Sequence, residues 1–78
     1  MRKLVLYSTV GCHLCEQAKE ILLPLLAAED SVEELDIADA DELMALYGIR
    51  IPVIKCLHSE REIGWPFDRA QLAEFLGQ

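Results

Sequence analysis

The chain opens on an unbroken apolar run, Leu4-Val5-Leu6-Tyr7, between Lys3 and Ser8. Such a run predicts a buried strand over Lys3–Tyr7, central in a sheet and covered on both faces. A short loop, Ser8 to Gly11, follows. From His13 to about Ala28 the apolar residues Leu14, Ala18, Ile21, Leu22 and Leu25 recur at helical spacing. Glu16, Gln17, Lys19 and Glu20 fill the opposite face, as in an amphipathic helix. Pro24 removes one helical hydrogen bond and is expected to bend the helix without ending it, because the apolar stripe continues past it. Glu29-Asp30-Ser31 form a polar turn, and Val32–Ile37 fit a second strand at a sheet edge. Asp39 or Asp41 is expected to cap a short helix carrying Leu43, Met44, Leu46 and Tyr47, closed by Gly48. Val53–His58 form a third strand. Ser59-Glu60 turn the chain into a brief fourth strand, Arg61–Ile63. Asp68 with Gln71 three residues on has the form of a capping box, and Leu72, Ala73, Phe75 and Leu76 give the last helix its buried face. The order is β-α-β-α-β-β-α. Its first strand–helix–strand unit is expected to be parallel and right-handed, and its last two strands antiparallel.

Composition narrows what such a chain can do. At 78 residues, with 53% hydrophobic and 27% charged positions, residues 1–78 read as one domain with a modest core. Fourteen acidic against seven basic residues give a formal net charge of −7, which argues against nucleic acid as a partner. The acidic residues from Glu29 to Glu42 read as a solvated face. The longest apolar run, Ile21 to Ala28, is interrupted by Pro24 and falls far short of the ~20 residues that span a bilayer. The start of the chain is too short in apolar residues for a signal peptide. The expectation is a cytoplasmic monomer in a reducing compartment, with no membrane partner.

The candidate chemistry lies at Cys12-His13-Leu14-Cys15. Two cysteines two residues apart, opening a helix directly after a strand, read as a thiol–disulfide redox site. Residues i and i+3 on a first helical turn lie about 5–6 Å apart, a span that a disulfide can bridge. The unpaired N–H groups and dipole at the helix start favour a thiolate on the earlier residue. Cys12 is therefore the nucleophile and Cys15 the resolving thiol. Zinc would need four ligands, and no second short-spaced pair accompanies His13, Cys56 and His58. A metal-thiolate protein, with zinc or an iron–sulfur cluster, remains an alternative reading, as does a binding module with little turnover. His13 is either a stabiliser of the thiolate when protonated or a solvated first-turn residue. Arg50 is either a partner for a substrate carboxylate or a surface charge. Cys56, in a strand leading away from the pair, reads as a small buried apolar residue, and Trp65 as an anchor of the last loop.

Leu6-Tyr7-Ser8 before Cys12-His13-Leu14-Cys15, the element order, Ile51-Pro52 opening the third strand, and Gly64 with Asp68 before the last helix together resemble a small glutaredoxin. The resemblance spans nearly the whole chain and implies a thioredoxin-like fold, a central four-stranded mixed sheet flanked by helices. It implies that Pro52 is cis and lies beside the cysteines, and that the Ile51 backbone pairs with bound substrate. It further implies that Gly64 and Asp68 contact glutathione, a co-substrate rather than a bound cofactor. A disulfide-bearing protein or a glutathione mixed disulfide would be the substrate, with glutathione or a reductase restoring the dithiol. The chain resembles an atypical subgroup of bacterial type. Thr9 stands where glutaredoxins usually carry lysine, His13-Leu14 replace proline and an aromatic, and Trp65 replaces the second glycine of a pair. Tyr47-Gly48-Ile49-Arg50 before Ile51-Pro52 is more similar to thioredoxins.

Overall fold

The computed structural model describes residues 2–77. Strand β1 (Lys3–Ser8) leads through the cysteine loop into helix α1 (His13–Leu22) and then to strand β2 (Ser31–Asp36). Helix α2 (Asp41–Tyr47), strands β3 (Val53–Cys56) and β4 (Arg61–Gly64), and helix α3 (Arg69–Phe75) complete the described elements. The sheet order is β2-β1-β3-β4. β1 runs parallel to β2 and antiparallel to β3, and β3 runs antiparallel to β4. β1 is central and β2 lies at an edge, as the hydrophobic pattern predicts.

The alternation of a strand explains why the β1 run has no polar break. Successive side chains point to opposite faces, and here both faces are covered. Leu4 and Leu6 pack with Ala18 and Leu22 of α1 and Leu72 and Leu76 at α3, together with Ile54 and Phe67. Val5 and Tyr7 pack on the other face with Ile37, Val53 and Tyr47 of α2.

Several local expectations change. α1 ends at Leu22, and residues Leu23–Leu25 form a single 3-10 turn with Pro24 near its start. Proline suits the start of such a turn, where its missing N–H costs nothing, so the apolar stripe continues into a new turn instead of a bent helix. The buried face of α1 is Cys15, Ala18 and Leu22, while Leu14 is 42% exposed. Neither Asp39 nor Asp41 caps α2. Ala40 occupies the N-cap without a side-chain bond, and Asp36 instead accepts from Ala38 N–H, capping the 3-10 turn Ile37–Asp39. On α2, Tyr47 is buried and Leu43 packs beside it, but Met44 and Leu46 face solvent. Gly48 follows α2 with φ −51°, an ordinary right-handed value, so it ends the helix without a left-handed turn. β3 ends at Cys56, two residues before His58, and β4 extends to Gly64. The capping box of α3 forms as read, with Asp68 accepting from Gln71 N–H and Gln71 from Asp68 N–H.

The acidic face is also less uniform than its composition. Asp30, with its side chain 3% exposed, forms an ion pair with Arg2 and accepts from the N–H of Ala27 at 2.8 Å. Arg2 also donates to the Leu76 carbonyl at 2.8 Å, tying the start of β1 to the start of β2 and the end of α3.

Candidate active site

The site is assembled at one end of the sheet. β1 ends at Ser8 and delivers the loop Thr9-Val10-Gly11 into Cys12. Gly11 has φ +79°, a left-handed value that side-chain-bearing residues rarely adopt, and this reverses the chain into α1. Cys12 is the N-cap of α1, a position usually held by a side-chain oxygen. Its sulfur accepts from the N–H of Cys15 at 3.1 Å. Cys12 and Cys15 are paired as a disulfide with Cα atoms 5.3 Å apart, inside the range such a bond requires. Their environments differ: Cys12 is partly exposed, whereas Cys15 is 2% exposed and packed under the first turn. His13 is the first residue of α1 and faces solvent.

The strand register brings Ile51, Pro52 and Gly64 to the same end. Tyr7 lies opposite Val53, and Val53 opposite Gly64, so the Ile51–Pro52 segment and Gly64 sit level with the end of β1. The Ile51–Pro52 bond is cis, as the resemblance implies; Trp65–Pro66 is a second cis bond. Trp65 N–H donates to the Pro52 carbonyl at 3.0 Å, which joins the two segments. Trp65 packs edge-on against Phe67, an anchor as expected. A Cβ at Gly64 would meet only Val53 Cγ2, at 4.0 Å, so the protein's own packing does not demand glycine there. Asp68 is committed to the capping box of α3. Cys56 pairs with Leu4 at the opposite end of the sheet and is partly exposed rather than buried. Hydrogen bonds from Ser59 hold its thiol below the ordinary value.

Two further groups of residues surround this part of the sheet, and of their members the sequence singles out only Arg50 as a site candidate. On the β2 side, Ser8 donates to Glu34 at 2.7 Å, and Lys19 pairs with Glu34 at 3.1 Å and with Glu16 at 3.5 Å. The Ser8 hydroxyl, then Lys19, keep the Glu34 carboxyl below its usual range. Ser8, Glu16 and Glu34 line a cleft of about 340 Å³ together with Thr9, Val10, Gly11 and Asp36. On the β3 side, Tyr47 stacks on Tyr7 with ring centroids 4.3 Å apart, and its hydroxyl donates to Glu62. Burial, then the Glu62 carboxylate, push the Tyr47 phenol above its ordinary value. Arg50 lies over the Tyr47 ring at 5.5 Å and pairs with Glu62 at 3.5 Å. Tyr47 could be read in advance only as a core residue, and Glu62 only as a strand surface position. Among the described residues, no three His, Cys, Asp or Glu side chains are grouped as a metal-holding set. No helix among them is long and apolar enough to cross a membrane.

The sheet order and the placement of the cysteine pair at the head of α1 define a thioredoxin-like protein. Within that class the chain belongs to the glutaredoxin-like domain family (DUF836), whose model matches residues 3–77. It is similar to the structural genomics target protein XcR50 from X. campestris. The X-ray structure of XcR50 is 38% identical with a TM-score of 0.84, and 95% of each chain is covered. The solution structure of XcR50 gives a TM-score of 0.82 over 99% of this chain and 94% of the other, again at 38% identity. Protein Ne2328 from Nitrosomonas europaea is 30% identical, with a TM-score of 0.79 over 95% of this chain and 89% of its own. No curated protein matches the chain.

Proposed function

We propose that this protein is a thiol–disulfide oxidoreductase that reduces protein or glutathione mixed disulfides through Cys12 and Cys15. The observation that carries the reading is the asymmetry of the pair: a partly exposed sulfur at the N-cap of α1 and a buried sulfur one turn later. The Cys15 N–H that reaches the Cys12 sulfur in the oxidised form would bind a thiolate more strongly, because a charged acceptor strengthens the bond and the helix start favours anions. The Cys12 thiolate attacks one sulfur of the substrate, forming a mixed disulfide and expelling the other sulfur as a thiolate that takes up a proton. Cys15, losing its proton, then attacks the Cys12 sulfur. The Cys12–Cys15 bond forms and the second substrate thiol leaves. The substrate gains two electrons and two protons, and the dithiol loses them. Glutathione or a reductase returns the protein to the dithiol state, with no bound cofactor. The Ile51 backbone, next to the cis-proline and level with the end of β1, is the edge on which an extended substrate would pair. Gly64 lies level with the same end, Arg50 directly precedes Ile51 and His13 directly follows the nucleophile, and these with Asp68 are the proposed substrate contacts.

The test is a set of serine variants assayed on a disulfide substrate. Cys12→Ser should abolish reduction. Cys15→Ser should accumulate a mixed disulfide on Cys12, and Cys56→Ser should turn over as the wild type does. Full activity in Cys12→Ser would overturn the assignment. Metal retained stoichiometrically by the two thiolates, with no disulfide turnover, would favour the metal-thiolate reading instead.

A further inference from the structure

We propose that Glu62 is a specificity-determining residue that biases the site against anionic disulfides, those of glutathione included. This inference rests on the oxidoreductase reading and concerns the substrate class of the same site. Arg50 is the cation immediately before Ile51, the residue whose backbone would pair with substrate. Its side chain is 48% exposed, so a substrate carboxylate could reach it. The guanidinium is nevertheless engaged on two sides. Its Nη2 lies 3.5 Å from Glu62 Oε1, and its carbon lies 5.5 Å from the centre of the Tyr47 ring. Glu62 is in turn held in place, because its other oxygen accepts from the Tyr47 hydroxyl. Tyr47 is buried and stacked on Tyr7 of β1.

The arrangement fixes a carboxylate beside the arginine that adjoins the substrate edge. An incoming anion must compete with Glu62 for the guanidinium and is also repelled by Glu62 itself. An uncharged disulfide meets neither effect. Lys55 lies opposite Glu62 in the β3–β4 register, so the test must separate it from Arg50.

Pre-reduced protein is mixed with either of two oxidants, and formation of the Cys12–Cys15 bond is timed. One oxidant is the uncharged disulfide of mercaptoethanol; the other is oxidised glutathione, each half of which carries a net negative charge. In both reactions one substrate S–S bond breaks, one protein S–S bond forms and two thiols are released. Glu62→Gln keeps a carbonyl oxygen for Tyr47 while removing the charge. It should raise the glutathione-to-mercaptoethanol rate ratio about threefold, the scale of one partly screened surface interaction. The gain should disappear at high salt, and it should be smaller when Glu62→Gln is made in an Arg50→Met background, where only the repulsion is relieved and Lys55 stays in place. A loss of structure would slow both oxidants alike and leave the ratio unmoved. An unchanged ratio in a folded Glu62→Gln protein overturns the inference while leaving the oxidoreductase reading intact. Failure of the wild type to react with either oxidant would defeat that reading itself.

Discussion

Tyr47 joins three parts of the molecule: its ring stacks on β1, its hydroxyl bonds β4, and it precedes the segment that ends in the cis-proline. Tyr47→Phe keeps the ring and removes only the bond to the Glu62 carboxylate. It should lower the free energy of unfolding by about 1.5–3 kcal/mol, the range for a hydrogen bond to a charged group. A denaturant midpoint that falls with an unchanged slope would show this; an unchanged midpoint would refute it. At this scale the sequence was legible where function lies in contiguous residues. Cys12 and Cys15 identify one another by spacing, and Ile51-Pro52 by its position before a strand. Tyr47 and Glu62 were opaque because fifteen residues separate them, and only the strand register and the end of α2 bring them together. Leu14 was misread for a related reason. Helical spacing places it on an apolar stripe, but the buried face of α1 runs through Cys15, Ala18 and Leu22, and Cys15 takes the buried position in the first turn.

The elements are joined at the end of the sheet away from the cysteines by Arg2 and Asp30. The Arg2 guanidinium, then the Ala27 N–H, hold the Asp30 carboxyl well below the usual carboxylate range. A depressed value means that the folded state binds its proton more weakly than the unfolded chain does. The stabilisation is therefore complete above the ordinary value of about 3.9 and is lost as pH falls below it. Asp30→Asn should melt at a lower temperature than the wild type at neutral pH. The difference should narrow as the pH is lowered from about 4 toward 2. A gap that stays constant across that range would contradict the assignment. Element order and strand direction were readable throughout from hydrophobic period and turn residues. Boundaries were less so where two signals competed. Pro24 could bend a helix or open a new turn, and Asp39 and Asp41 both offered a cap for α2, whereas Ala40 holds that position and Asp36 caps the 3-10 turn before it.

The whole molecule is a sheet covered on both faces, and this is why one end of it can collect the cysteine loop, the cis-proline segment and the β4 terminus. The sheet is mixed, so the chain reaches that end by leaving β1, leaving β2, entering β3 and leaving β4, four separate passages. The unbroken run Leu4–Tyr7 made the double covering legible, since every second residue must find its own apolar layer. The net charge of −7 bears on partners and leaves the fold open. The central claim is that Cys12 and Cys15 form a working dithiol. It is tested most directly by exposing fully reduced protein briefly to the disulfide of mercaptoethanol, blocking remaining thiols and measuring the intact and peptide masses. The account predicts the loss of two hydrogens, mapped to a Cys12–Cys15 bond, with Cys56 blocked as a free thiol. Protein in which Cys12 and Cys15 both remain free and blocked would contradict it.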